Sequence, residues 1–294
     1  MSLDIRTEDC FFHYTTREAS FDYILPSGQL RFSPYWEMRD PLENTPWTWM
    51  ASWSPFQKEP GLPEKKLYGF WRNTHSVFRL AHLLAFTIDT PGADRSAFAQ
   101  GWFRPRMWEQ YAEDHQGVCL VFNKKHLIAT LDRDLKSQLG HEPYHGPVSY
   151  SEEGSRAFAK VDVDTLPNEQ NQDFAEAYIE HHKDELFFQK VLDWQTEYEY
   201  RFVTTAPPEV PLYVDYGDSL CAVVVGERLP HWQYASALKA SRISEVPVAL
   251  MNWRTGFPVQ VPLLEQTWEQ RKASVENRPF WEQDVESNSK AESD

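Results

Sequence analysis

Leu83-Leu84-Ala85-Phe86-Thr87-Ile88 and, beyond one loop and one short helix, Gly117-Val118-Cys119-Leu120-Val121-Phe122 are the stretches that decide the fold. Both are short, nearly unbroken apolar runs, the pattern of strands covered on both faces. Between them, residues 89–101 read as a loop and 106–115 as a short helix with Met107, Trp108 and Tyr111 on one side. Upstream, Leu67, Phe70, Trp71, Val77, Phe78 and Leu80 predict a helix over 63–82, and downstream Asn123 caps another through Leu135. Helices mixed with short, non-alternating strands give an α+β class. We expect one compact domain over residues 1–265, with a central mixed or antiparallel sheet flanked by helices.

Outward from this centre, Phe11-Phe12-His13-Tyr14 reads as an aromatic strand. Thr15-Thr16-Arg17-Glu18 then starts a helix that Pro26-Ser27-Gly28 stops, and Gln29–Ser33 returns as a strand. Residues 34–61 carry Pro34, Pro41, Pro46, Pro55 and Pro60 with Trp36, Trp47, Trp49 and Trp53, and no clean periodicity. They read as a long aromatic loop within an insertion over 34–80, of the kind that covers functional sites. Residues 140–147 read as a loop, 148–150 as a strand and 167–192 as one long helix. Strands follow near 197–204, 212–214, 219–225, 247–250 and 258–261. Residues 266–294 are expected to form a C-terminal helix and an acidic, disordered tail.

Composition narrows the function classes. Forty-four acids against 29 bases give a net charge of −15, which opposes a broad nucleic-acid-binding face. Only Arg104, Arg106 and the Arg72/Arg79 region offer a local basic cleft. Cys10, Cys119 and Cys221 lack zinc-site spacing, and Cys119 and Cys221 read as buried thiols. The N-terminus has no signal-peptide pattern and no apolar run is long enough to cross a bilayer, so a reduced cytoplasmic protein without membrane partners is expected. Pro143 and the flanking glycines forbid the helix that would align His141 with His145, and His181 with Glu185 lacks a third ligand, so no metal is expected. P-loop, G-x-G-x-x-G, G-x-S-x-G and H-E-x-x-H patterns are absent.

The richest chemistry lies in Trp194-Gln195-Thr196-Glu197-Tyr198-Glu199-Tyr200-Arg201-Phe202. On a strand, Glu197, Glu199 and Arg201 share one face and Tyr198, Tyr200 and Phe202 the other. Two carboxylates about 7 Å apart at their α-carbons can divide into an acid and an electrostatic stabiliser in a cleft. The same spacing equally suits a solvated face with a Glu199–Arg201 pairing. His13 suits either a core histidine or a neutral imidazole that hydrogen-bonds a ligand hydroxyl. Tyr111 suits core packing or stacking on an aromatic ligand.

The order of several short motifs resembles the bacterial domain family of unknown function DUF2971. They are Phe12-His13-Tyr14-Thr15-Thr16, Gly28–Ser33, Asp40-Pro41-Leu42-Glu43, Ala85-Phe86-Thr87, Met107–Ala112, His115–Leu120, Lys190 with Trp194 through Arg201, and Val223–Gly226. The likeness runs over about residues 11–229. Arg39 stands where an asparagine is usual, and Ala85-Phe86-Thr87 replaces Cys-Phe-Ser. A more distant motif-level similarity is to ADP-ribosyltransferases, through His13, Tyr111 and Glu197-x-Glu199.

The second resemblance implies a split sheet and NAD as co-substrate. Glu199 would be the catalytic carboxylate, Glu197 the base or acceptor-site carboxylate, and His13 the residue that orients NAD. Tyr14, Thr15, Arg31, Ser33, Trp108, Tyr111 and Arg201 complete the expected nucleotide site. It implies a toxin or phage-defence effector acting on a small nucleotide and an unidentified macromolecular target. A two-carboxylate glycoside or nucleoside hydrolase and a non-catalytic binding module stay open beside it.

Overall fold

The computed structural model describes residues 9–41, 43–47, 49–52, 54, 61–92, 97–152, 160–168, 172–233, 235–237, 239, 246–254 and 257–262. Strand β1 (Cys10–Thr15) leads into a wide helical turn (Ala19–Ile24) and the single turn α1 (Leu25–Ser27), and β2 (Gln29–Pro34) returns. Next come β3 (Met50–Ser52), α2 (Leu62–Leu80), β4 (Ala81–Thr87), α3 (Pro105–Gln110), β5 (Val118–Asn123) and α4 (Lys124–Leu139). The middle holds β6 (Tyr144–Pro147), β7 (Ser149–Ser151), β8 (Lys160–Asp162), α5 (Gln172–His181), α6 (Lys183–Phe187) and β9 (Gln189–Val191). Strands β10 (Glu199–Thr205), β11 (Leu212–Asp215), β12 (Leu220–Val225), β13 (Val248–Arg254) and β14 (Phe257–Pro262) follow. Among the described residues, no helix is long and apolar enough to cross a membrane.

Local chemistry sets the element ends. Thr16 Oγ1 accepts the Ala19 amide at 3.1 Å, and the Asn123 side chain accepts His126 N at 2.9 Å. Along α4, Leu127, Leu131 and Leu135 recur one turn apart and are fully buried against the sheet. Each such leucine contributes about 1.5–3 kcal/mol by leaving water.

Ten strands form one mixed sheet in the order β11-β2-β4-β1-β5-β12-β13-β14, with β10 also on β4 and β6 beyond it. β12 and β13 run parallel, whereas the other pairs in this sheet are antiparallel. The fold is α+β.

The feature that matters for function is a fork. β10 occupies one edge of β4 along its whole length, from Ala81↔Thr205 to Thr87↔Glu199. The other edge is shared: Thr87 pairs with Phe12 of β1, and Leu83 and His82 pair with Ser33 and Pro34 of β2. Leu84, Ala85 and Phe86 lie between, with no strand partner on that edge among the described residues. The backbone polar groups there need other partners. His13 supplies one, its Nδ1 lying 3.1 Å from the Ala85 carbonyl.

Several expectations are corrected. The helix expected over 167–192 is three pieces, because tertiary partners capture its backbone. Phe187 O accepts Arg201 Nη1 at 2.6 Å, and Phe188 O accepts Ser149 N at 2.8 Å. Residues 189–191 then become β9, paired with β7, in place of a last helical turn. Residues 144–147, expected as loop, add a strand to β10. Tyr111 caps the C-terminus of α3, and the chain then turns through left-handed Glu113, Asp114 and His115.

Cys221, expected to be buried, is exposed where β12 shifts register between Leu220 and Ala222. Trp47 and Trp49 pack inward: Trp47 meets Phe78 and Phe187, and Trp49 meets Phe70 while its Nε1 donates to Thr74 Oγ1 at 3.1 Å. Trp53 and the expected tail over 266–294 lie outside the described residues.

Candidate active site in the fork of the sheet

A cavity of about 270 Å³ occupies the fork between β1 and β2. Leu83 through Thr87 of β4, His13 and Ser33 line it, together with Glu37, Met38, Arg39, Asp40 and Glu43 from the segment after β2. Tyr111, Lys190, Glu197 and Glu199 close the end nearest β10.

Glu197 ends a 3₁₀ turn, Leu192–Glu197, so the expected strand face of Glu197, Glu199 and Arg201 does not exist as such. Tyr198 adopts a left-handed conformation (φ 46°) between the turn and β10. Its carbonyl accepts Ile88 N at 2.9 Å, and Arg104 sits 3.9 Å from the centre of its ring. The two carboxylates nevertheless meet, because Lys190 Nζ binds both: Glu197 Oε2 at 2.8 Å and Glu199 Oε2 at 2.9 Å.

Behind them Arg201, fully buried, grips Glu199 through Nε at 2.6 Å and Nη2 at 2.9 Å. The same guanidinium pairs with Glu43 Oε1 at 2.5 Å, and Lys190 lies 3.8 Å from Glu43 Oε2. Tyr111 donates its hydroxyl to Glu197 Oε1 at 2.7 Å. Three carboxylates and two cations thus form one network, each member under one tenth exposed.

Burial alone would raise the Glu199 carboxyl, but Arg201 and Lys190 outweigh it and bring its pKa down to about 2. Glu43 goes the other way: burial raises it, and Arg201 and Lys190 offset only part of that. Burial opposes the charge of Lys190 as well, yet Glu199, Glu43 and Glu197 push it above the ordinary lysine range. Burial also lowers the His13 pKa, only partly offset by the Ala85 carbonyl, so the ring is neutral at pH 7. A carbonyl only accepts, so Nδ1 carries the proton and Nε2 presents a lone pair.

His13, Tyr14, Arg31, Ser33, Tyr111, Glu197 and Glu199, singled out in the sequence, border this cavity. Thr15, Trp108 and Arg201 do not. Thr15 pairs with Val118 at the end of β1, and Trp108 is a core ring whose Nε1 donates to Trp102 O at 2.9 Å. Arg201 acts from behind Glu199. The Tyr14 hydroxyl donates to Gly101 O at 2.7 Å, so that group is already engaged.

Lys190, Glu43 and Thr87 stood in the motifs that carry the family resemblance, but sequence reasoning gave none of them a place in the site. The Thr87 side chain is buried, borders the cavity, and its hydroxyl has no partner among the described residues. A buried hydroxyl of this kind calls for a ligand or water.

Residues 107–202 match the model of a family described as a protein of unknown function, DUF2971. The matched stretch is shorter than the resemblance over 11–229. It carries Tyr111, Lys190, Glu197, Glu199 and Arg201, whereas His13, Ser33, Glu43 and Thr87 lie before it. The matched stretch therefore supplies Tyr111, Lys190, Glu197 and Glu199 to the cavity, and the residues before it supply His13, Ser33, Asp40, Glu43 and Thr87. No curated protein and no solved structure matches the chain.

Proposed function

We propose that the cavity is the active site of an enzyme that breaks the nicotinamide–ribose bond of NAD and transfers ADP-ribose to an acceptor. The observation that carries this reading is the convergence of neutral His13, Tyr111, Glu197 and Glu199 on one cavity in the fork of the sheet.

The charge state of the site supports it. Scission of the N-glycosidic bond sends the bond's electron pair to nicotinamide and leaves positive charge on the ribose. Glu199, held ionised and immobile, stabilises that charge without reorganisation. Nicotinamide departs neutral and needs no proton. The leaving group of an ordinary glycoside does need one, and Glu199 cannot supply it. This favours NAD over a glycoside or nucleoside. Glu197, oriented by Tyr111, takes the proton of the attacking acceptor hydroxyl or amine as the new bond to ribose forms. His13 Nε2 accepts from a ribose hydroxyl, and Thr87 offers a further hydroxyl.

Incubating the protein with NAD and measuring free nicotinamide by chromatography tests the reading. Release that falls at least a hundredfold in Glu197→Gln, with the folded circular-dichroism spectrum retained at the assay temperature, is the expected result. The absence of both nicotinamide release and NAD-dependent thermal stabilisation in the wild type would overturn it.

A further inference from the structure

Of the local basic candidates in the sequence, Arg104 and Arg106 are engaged. Arg104 is buried and donates to Ile88 O and Thr90 Oγ1, and Arg106 reaches Asp193 O and Thr196 Oγ1. Arg72 and Arg79 are different. They lie on α2 with exposed side chains and no carboxylate partner among the described residues.

At 100° per residue, Lys65, Tyr68, Trp71, Arg72, His75 and Arg79 fall on a single stripe of that helix. The stripe is aromatic as well as cationic. Tyr68 is 64% exposed and Trp71 41%. The Tyr68 and Trp71 rings are stacked with centroids 6.5 Å apart, and Trp71 and His75 with centroids 5.4 Å apart. Glu64 is its one acid.

The stripe does not end with the helix. Arg79 lies over the Trp36 ring at 5.1 Å, and Trp36 meets His82 at 6.3 Å. The next residues after Trp36, Glu37 through Arg39, form the mouth of the cavity with Arg31.

The geometry points to this stripe as a docking track for a single-stranded nucleic acid. Exposed stacked rings interleaved with arginines match a strand whose bases offer π-faces and whose phosphates offer charge. A duplex hides its bases, and an acidic peptide has no rings to stack, so neither uses both features. The surrounding charge of −15 keeps the interaction local and salt-sensitive. The inference stands apart from the chemistry assigned to the cavity, and binding is measured without NAD.

The test is fluorescence anisotropy of a labelled 15-nucleotide oligo-dT with the full chain at low salt. Saturable binding is expected, with a log–log salt slope of about −2 for the roughly three phosphates met by Lys65, Arg72 and Arg79. Arg72→Glu with Arg79→Glu should weaken it at least tenfold and Trp71→Ala at least fivefold. Lys136→Glu, on the exposed face of α4, should leave it unchanged. All these substitutions of the stripe are at the surface, and a variant that lowers the melting temperature is replaced by Tyr68→Ala, expected to weaken binding at least threefold. Undetectable binding, wild-type affinity in the stripe variants, equal affinity for the blunt duplex, or equal competition by poly-glutamate would each overturn the proposal, the last in favour of an acidic protein partner.

Discussion

Lys190 is the residue on which the site depends. Its ammonium touches two carboxylates and lies near a third, in a place where an unpaired charge is costly. A buried ion network is weak support for stability taken whole, but removing one member leaves its partners stranded. Lys190→Met should therefore cost about 3–5 kcal/mol at neutral pH. The sign of its pH dependence follows from Glu199. That carboxyl titrates at about 2 in the folded protein against an ordinary value of 4.5, so its contribution is full above 4.5 and is lost as the pH falls toward 2. Lys190 is part of what depresses it. The gap between wild type and Lys190→Met in urea unfolding should shrink as the pH drops from 5 to 3. A gap of equal size at both ends would overturn the coupling of Lys190 to Glu199 ionisation.

What the sequence displayed at these positions was chemistry without address. The Glu-x-Glu spacing suited either two cooperating carboxylates or a solvated face, and the strand pattern assigned them one face. They cooperate through a 3₁₀ turn, a left-handed tyrosine and a shared lysine instead. Lys190 stood in a family motif but was given no place in the site, because Phe174, Ala177, Tyr178, His181, Phe188 and Val191 or Leu192 recur at a spacing that reads as one helix over 167–192. Only long-range bonds to Phe187 O and Phe188 O end the helix early enough to swing the lysine inward.

Among the elements, those built from dense apolar runs were legible: β4 and β5 lie within a residue or two of expectation, as does the start of α4 at Asn123. Strand β6 was not, since Gly146 and Pro147 are depleted in strands and the segment pairs along the edge that β10 presents. The turn after α3 was equally opaque. Glu113, Asp114 and His115 are all left-handed, a conformation costly for residues with a Cβ. It persists because tertiary partners hold each end. Arg17 binds Glu113 at 3.0 Å, Arg228 binds Asp114 at 2.6 Å, and the His115 carbonyl accepts Arg228 N at 3.0 Å. Gly226 makes this approach feasible, because a Cβ there would stand 2.0 Å from the His115 carbonyl oxygen. Gly226→Ala should destabilise the protein by about 1–3 kcal/mol through overpacking. Thermal unfolding checks it, and a wild-type melting temperature would show that the turn has room to shift.

Across the whole molecule, Thr87 of β4 pairs with Phe12 of β1 on one edge and with Glu199 at the start of β10 on the other, a juxtaposition set by sheet order that no local pattern encodes. It creates a cavity with two electrical zones. Inside, Asp40, Glu43, Glu197 and Glu199 outnumber Lys190 and Arg201, and the excess survives protonation of Glu43, whose carboxyl burial raises. At the mouth, Arg31 is half exposed in a pair with Glu37, and exposed Arg39 lies 4.9 Å from the centre of the Tyr111 ring. A ligand with a cationic head and an anionic tail fits this polarity, and oxidised NAD has both a pyridinium and a pyrophosphate. Reduced NAD keeps the pyrophosphate and loses the positive ring. Oxidised NAD should therefore bind at least tenfold more tightly, about 1.4 kcal/mol, and at matched concentrations raise the melting temperature further. Glu197→Gln should erode that preference by weakening only the oxidised form. Arg39→Ala should weaken both forms by the same factor, and high salt should mimic it because the mouth is solvated. Calorimetric titration of both nucleotides into the three proteins decides the matter. Equal affinity for the two forms in the wild type would show that the buried carboxylates do not face the nicotinamide ring.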